Sequence, residues 1–166
     1  DHPDIQFDLG IGFRSFNLAQ READIALRWS SPGDQNSLIA RKVASVTFGM
    51  FASKSYIQKR GAPKTLEELR DHDGVSLTIM DGQSLWKHDN YDKNEHIPKR
   101  MTFTTDSVWA YDEAIGNGFG IGMLPLCNDC TFCGDELVRI LPNVQHQEAL
   151  YLVSHEDLRR SQRIRA

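Results

Sequence analysis

Four consecutive oxygen-bearing side chains, Thr104, Thr105, Asp106 and Ser107, stand directly before an apolar period of Val108, Tyr111 and Ile115. This pattern predicts a helix start, with Thr105 or Asp106 as the cap. A helix start presents backbone N–H groups and the positive end of the peptide dipole, so hydroxyls and amides there can hold a carboxylate while Asp106 meets an amine. Plain N-capping is the other role open to the same residues. Arg28 offers a planar guanidinium fork to an anionic ligand, and Trp29 beside it can cover an apolar portion. A surface ion pair for Arg28 and a packing role for Trp29 are the alternatives. The three cysteines, Cys127, Cys130 and Cys133, form a CxxCxxC run. On a helix the third sulfur lies round from the first two, so a metal would need a fourth ligand such as His146 or Asp129. The run lacks the second CxxC of a zinc ribbon and the fourth cysteine of an iron–sulfur cluster, which leaves reduced packing thiols as the expectation, with no metal and no cofactor.

Catalytic signatures are missing. There is no G-x-S-x-G elbow, no P-loop and no HExxH motif, and the glycine run from Gly116 to Gly122 precedes a strand, whereas a dinucleotide fingerprint must follow one. His72, His88, His96, His146 and His155 sit in polar contexts that read as surface positions, as do the carboxylate pairs Asp71 with Asp73 and Glu67 with Glu68. The chain therefore reads as a binding module and not an enzyme.

The elements that must carry these residues alternate between strand and helix. Ile5 to Leu9 alternates like a strand, Asn17 can cap a short helix over Leu18 to Arg21, and Asp24 to Trp29 is a second strand. Val43 to Phe51 is β-prone. Ser53 then caps a helix that stops at Gly61 with Pro63 beyond, and Thr65-Leu-Glu-Glu68 is a capping box. Gly74 to Met80 is strand-like. Leu85 to Arg100 is a polar stretch expected to be a solvated loop or edge hairpin, with Trp86 at a ligand cleft as the alternative. The helix after Ser107 ends at Gly116 to Gly118, and Phe119 to Leu124 is a strand whose Gly120 and Gly122 admit a close neighbour. Ala149 to Val153 is the last strand. Ser154 opens a closing helix with acids first and arginines later.

Composition bounds the function further. The 166 residues, 40% hydrophobic and 25% charged, suit a globular chain of one domain or two small lobes. A net charge of −4 argues against this piece gripping nucleic acid, because duplex affinity comes largely from neutralised phosphates. No apolar run reaches the length of about 18 residues that a membrane helix needs. The odd thiol count points to a reducing cytoplasm.

Several stretches occur in one telling order: Glu22-Ala-Asp-Ile-Ala-Leu-Arg28, Ser37-Leu-Ile-Ala-Arg-Lys-Val43, Phe51-Ala-Ser-Lys-Ser-Tyr56, Gly61-Ala-Pro63, Leu66-Glu-Glu-Leu69 with His72, Gly118-Phe-Gly-Ile-Gly-Met-Leu-Pro125, Leu137-Val-Arg-Ile-Leu-Pro142 and the segment from Leu152 to Arg165. In order and spacing they resemble the effector-binding domain of LysR-type transcriptional regulators over nearly the whole chain. The resemblance implies an α/β fold of two lobes, similar to type II periplasmic binding proteins, hinged by two crossover strands at Val43 to Phe51 and Ala149 to Val153. Lobe I would hold residues 1–52 and 149–166, and lobe II residues 53–148. On this template Asp1 to Leu9 matches the second strand, so the first strand and helix of the lobe are expected to be missing, and the chain is expected to be a fragment.

The same resemblance implies a small, anionic or zwitterionic effector between the lobes. Phe13, Arg14, Ser15, Phe16, Arg28, Trp29 and Ser30 would line it from lobe I, and Thr104, Thr105, Asp106, Ser107 and Gly118 from lobe II. It further implies a homodimer or homotetramer, DNA binding only through an N-terminal helix-turn-helix absent here, a cytoplasmic location and no membrane partner. A stand-alone solute-binding protein for transport, built on the same architecture, is the alternative.

Overall fold

The computed structural model describes residues 4–29, 31, 37–79, 84–87, 97–126 and 136–160. In chain order the strands and helices are β1 (Ile25–Arg28), β2 (Leu38–Ser53), α1 (Lys54–Arg60), β3 (Asp73–Leu77), β4 (Arg100–Thr105), α2 (Val108–Gly116), β5 (Gly122–Pro125) and β6 (Leu137–His155). Short 3-10 turns cover Glu67–Asp71, Leu85–Lys87 and Glu156–Arg160. The chain divides into two compact units, residues 1–46 with 148–166 and residues 47–147. Both divisions fall inside the long strands β2 and β6, which are neighbours in a sheet of order β1-β6-β2-β5.

In the first unit β1 pairs antiparallel with β6, from Ile25 opposite Ser154 to Arg28 opposite Tyr151. Leu18, Val153 and Leu158 are its buried apolar residues. The Asn17 side chain accepts from the N–H of Ala19 and of Gln20, and the Glu22 carboxylate accepts from Asn17 N at 2.9 Å. The cap expected at Asn17 is present, and it closes a turn in place of a helix. Ile5 to Leu9 does not form the strand that its alternation predicts. Phe7 and Leu9 are 90% and 78% exposed, and none of these residues enters a ladder. Alternation supplies a face, but a strand also needs a neighbour to satisfy its N–H and C=O groups.

The second unit contains the main core: Met50, Ala52, Tyr56, Leu69, Trp86, Ile121, Met123 and Ile140. Ser53 accepts from Tyr56 N at 3.1 Å to start α1, and Gly61 ends it at φ 76° with its N–H on Ile57 O. A positive φ is where glycine is least strained, which is why the stop falls there. The capping box is shifted: Glu68 N reaches Thr65 Oγ1 at 3.4 Å, but the Glu68 carboxylate takes Lys64 N at 2.7 Å, and only a 3-10 turn follows. Trp86 is neither solvated nor at a cleft. It is 1% exposed, and its indole N–H donates to Val75 O at 2.7 Å, so it anchors its segment to β3.

β5 pairs antiparallel with β2, with Met123 opposite Met50. β3 and β4 pair in parallel, with Leu77 opposite Thr105. Ile121 joins this layer: its N–H goes to Asp73 O and its carbonyl accepts from Val75 N. Gly120 permits that approach, since a Cβ there would stand 2.6 Å from Asp73 O.

The two last elements differ from expectation. Leu137 to Pro142 and Ala149 to Val153 belong to one 19-residue strand, β6, interrupted in regularity by Leu141 at φ 44° before a proline that has no N–H to give. The strand continues through Ser154 to His155, so the closing helix expected to open at Ser154 is a 3-10 turn beginning at Glu156, whose N–H is taken by Ser37 O. Pairing along β6 outcompetes the capping tendency of Ser154.

Candidate functional site

In the second unit, β4 ends at Thr105 and α2 begins at Val108, so Thr104 to Ser107 form the joint between them. The cap is Ser107, not Thr105 or Asp106: its side chain accepts from Ala110 N at 3.3 Å and its carbonyl from Tyr111 N at 2.9 Å. Thr105 cannot serve because β4 holds it opposite Leu77; its hydroxyl accepts instead from Ser107 N at 3.0 Å. Each hydroxyl still has an O–H that can donate. Thr104 and Asp106 are exposed.

Thr78 N donates to Thr105 O at 2.7 Å, so the end of β3 reaches the same place. Ligands of parallel α/β sheets gather beyond the carboxyl ends of the strands, where helix starts converge. Thr78 is half-buried and adds a hydroxyl-bearing residue to this group. Sequence reasoning missed it; a threonine at the end of a strand-like run was its only signal, and the parallel pairing that delivers it was not legible.

Two contacts set the direction of α2. The Tyr111 hydroxyl accepts from Met123 N at 2.6 Å and donates to Met123 O at 3.2 Å. Ile115 and Tyr111 close over Gly122, where an added Cβ would collide with the Ile115 side chain. Of the apolar period, Tyr111 and Ile115 are buried and Val108 is exposed. Burial, with the neighbouring Glu113 charge as the lesser cause, raises the Asp112 carboxyl above its ordinary value. Gly118 lies beyond the other end of α2 at φ 78°, packed against Ser53 and Ser55 at the start of α1, so it does not join Thr104 to Ser107.

In the first unit the residues from 13 to 16 meet β1. Arg28 Nη2 donates to Phe16 O at 2.8 Å. Arg14 lies 5.4 Å from the Phe16 ring centre and 3.6 Å from the Glu22 carboxylate. Phe13 and Phe16 are half-buried, Ser15 is exposed and Trp29 is 44% exposed. One guanidinium donor of Arg28 thus holds the backbone of the neighbouring segment, a structural role that neither sequence alternative named. Ser30 and the three cysteines lie outside the described residues. Among the described residues no group of three or more His, Cys, Asp or Glu side chains could hold a metal ion. A groove of about 390 Å³ runs between Pro63–Leu66 and Leu141–Val144 and includes none of the residues expected to line the effector site.

The second unit thus carries a parallel strand pair leading to a hydroxyl-rich helix start, and the long strands β2 and β6 run from it into the first unit. The family model described as the LysR substrate binding domain matches residues 1–166, and the chain belongs to that family. Among curated proteins, an HTH-type transcriptional regulator of Xanthomonas campestris pv. campestris is 41% identical over 124 residues, 72% of this chain and 36% of that protein. An uncharacterized HTH-type transcriptional regulator of Haemophilus influenzae is 26% identical over 148 residues, 89% of this chain and 51% of its own. The chain therefore spans about half or less of the length of these relatives. Among solved structures, the regulatory domain of CrgA, a LysR-type regulator of Neisseria meningitidis, superposes with a TM-score of 0.71 at 26% identity, covering 90% of this chain and 74% of that one. Full-length AphB, the Vibrio cholerae virulence activator, gives a TM-score of 0.69 at 26% identity, with 99% and 56% covered. The fold is that of LysR regulatory domains, which is periplasmic-binding-protein-like. Among the described residues no helix is long and apolar enough to cross a membrane.

Proposed function

We propose that this chain is the ligand-sensing part of a LysR-type transcription factor, taking up a small anionic or zwitterionic effector and passing its binding state to a DNA-binding region outside residues 1–166. The observation that carries the reading is the joint Thr104 to Ser107, where two hydroxyls at a helix start accept from backbone N–H groups and each still has an O–H to donate. Thr104, Thr105 and Ser107 would donate to a carboxylate, Asp106 would meet an amine, and Thr78 would complete the polar wall. Within the first unit, considered by itself, Arg28, Arg14 and the neighbouring Phe16 ring offer cations with apolar cover. The regulator would work in the cytoplasm as a homodimer or homotetramer, in keeping with relatives that are transcription regulators. That description of the relatives also favours this reading over a transport receptor.

Thermal-shift screening of small carboxylates and amino acids tests it, since a ligand at 100 times its Kd adds about 2.7 kcal/mol of stability. For a ligand so found, Thr105→Ala should weaken binding by about 1–2 kcal/mol, the loss of one hydrogen bond to a charged group. Unchanged affinity in Thr104→Ala, Thr105→Ala and Ser107→Ala variants that remain folded would remove the joint from the site.

A further inference from the structure

The groove of about 390 Å³ between Pro63–Leu66 and Leu141–Val144 lies wholly within the second unit, away from the joint at Thr104 to Ser107. Small-molecule sites fall between about 300 and 1,000 Å³ and combine mostly apolar walls with a few polar groups. The apolar part here is aliphatic. Pro63 is buried, and Leu66, Leu141 and Val144 are half-buried and pack onto the main core, so the floor of the groove is continuous with it.

The polar part is one-sided in charge. Lys64 and Asn143 stand exposed on the two walls, and among the described residues neither the Lys64 ammonium nor the Asn143 amide has a hydrogen-bond or ion-pair partner. Thr65 Oγ1 accepts from Glu68 N at 3.4 Å, which leaves its O–H to donate. Glu68 itself does not line the groove, and its carboxylate is taken by Lys64 N at 2.7 Å. The lining therefore offers a cation and neutral donors over an aliphatic floor, with no carboxylate of its own.

The second wall is bent into place. In a regular strand Leu141 and Asn143 would face one way and Pro142 and Val144 the other, yet all four line the same groove. The bend centres on Leu141, whose φ of 44° is a strained conformation for a residue with a Cβ. Arg139 braces it by donating from Nη2 to Pro142 O at 2.7 Å and to Gln145 Oε1 at 3.2 Å. Strain of this kind persists where the surroundings over-determine it, and it collects at ligand clamps.

We propose that this groove is a second ligand site, separate from the joint, and that it takes a short-chain aliphatic carboxylate. The chain lies on Pro63, Leu66, Leu141 and Val144, and the carboxylate meets Lys64 with Thr65 and Asn143 donating beside it.

Amide NMR titrations of the chain with hexanoate, acetate and hexanol, at neutral pH and low salt, test it. Hexanoate should shift the amides of Thr65, Leu66, Asn143 and Val144 saturably and with one dissociation constant. Acetate keeps the charge but lacks four methylenes, each worth a factor of about four when buried, and should bind at least about tenfold more weakly. Hexanol keeps the chain and lacks the charge, and should bind about threefold or more weaker, the scale of an exposed ion pair. Lys64→Gln, a change at an exposed side chain, should weaken hexanoate by a similar factor and leave hexanol unchanged. Hexanoate shifts confined to Thr104 to Ser107, acetate or hexanol binding as tightly as hexanoate, or a Lys64→Gln variant that binds hexanoate like its parent each overturn the proposal. Shifts at the groove amides that follow protein concentration with no probe added put a second copy of the chain there, and overturn it as well.

Discussion

Replacing Tyr111 with Phe removes one oxygen and leaves the ring in place, so the cost isolates what that hydroxyl does. Met123 sends both its N–H and its carbonyl to the Tyr111 hydroxyl, at 2.6 and 3.2 Å, on the side of β5 away from β2. β5 is the last strand of its sheet, so the hydroxyl stands where the next strand's backbone would be. Both residues are buried, with Tyr111 at 1% and Met123 at 4% exposure, so water cannot take over. Each buried group left without a partner costs about 1–3 kcal/mol. With some relaxation of β5, the pair should lose about 2–4 kcal/mol. At about 2–4 °C per kcal/mol for a chain of this length, the melting temperature should fall by about 5–15 °C. Urea unfolding followed by circular dichroism gives the free energy directly, with an unchanged slope showing that the native and unfolded states still differ by the same surface. A loss below about 0.5 kcal/mol, the scale of an ordinary surface substitution, would refute the argument that β5's edge depends on this hydroxyl.

Gly120→Ala should destabilise by more than about 2 kcal/mol, because a Cβ 2.6 Å from the Asp73 carbonyl meets backbone that cannot swing away; a denaturation midpoint equal to the parent's would show that the β3 layer is looser than this contact requires. Asp112→Asn should raise the melting temperature at neutral pH. A carboxyl whose folded value lies above 3.8 binds its proton more tightly in the native state, so its ionisation costs stability as pH rises through that range, and the gain should vanish below about pH 4. A variant no more stable than its parent at pH 7 would mean that the Asp112 charge is already well solvated.

What the amino-acid order determined by itself is mostly what is settled within four or five residues. Ser53 and Gly61 bracket α1 as their types require, and Asn17 gathers the amides after it, because a cap or a turn is made with the residue's own neighbours. The ordered set of motifs from Glu22 to Leu152 also identified the family, since it depends on sequence alone. Placement over longer distances needed the tertiary structure. Trp86 looks solvated among charged neighbours, yet Val75, eleven residues earlier, offers the carbonyl that buries it. Thr105 looks like a cap until its pairing with Leu77 claims it for β4 and hands the role to Ser107. Ile5 to Leu9 has a strand's alternation and no ladder, while the strand expected at Ala149 to Val153 extends from Leu137 to His155. Thr78 comes to lie beside Thr105, and His72 beside Tyr56, only through contacts between residues 27 and 16 positions apart in sequence. Side-chain type sets what a residue can do with its neighbours in sequence; burial and pairing, which decide between its possible roles, are properties of surfaces that exist only after the chain has brought distant segments together.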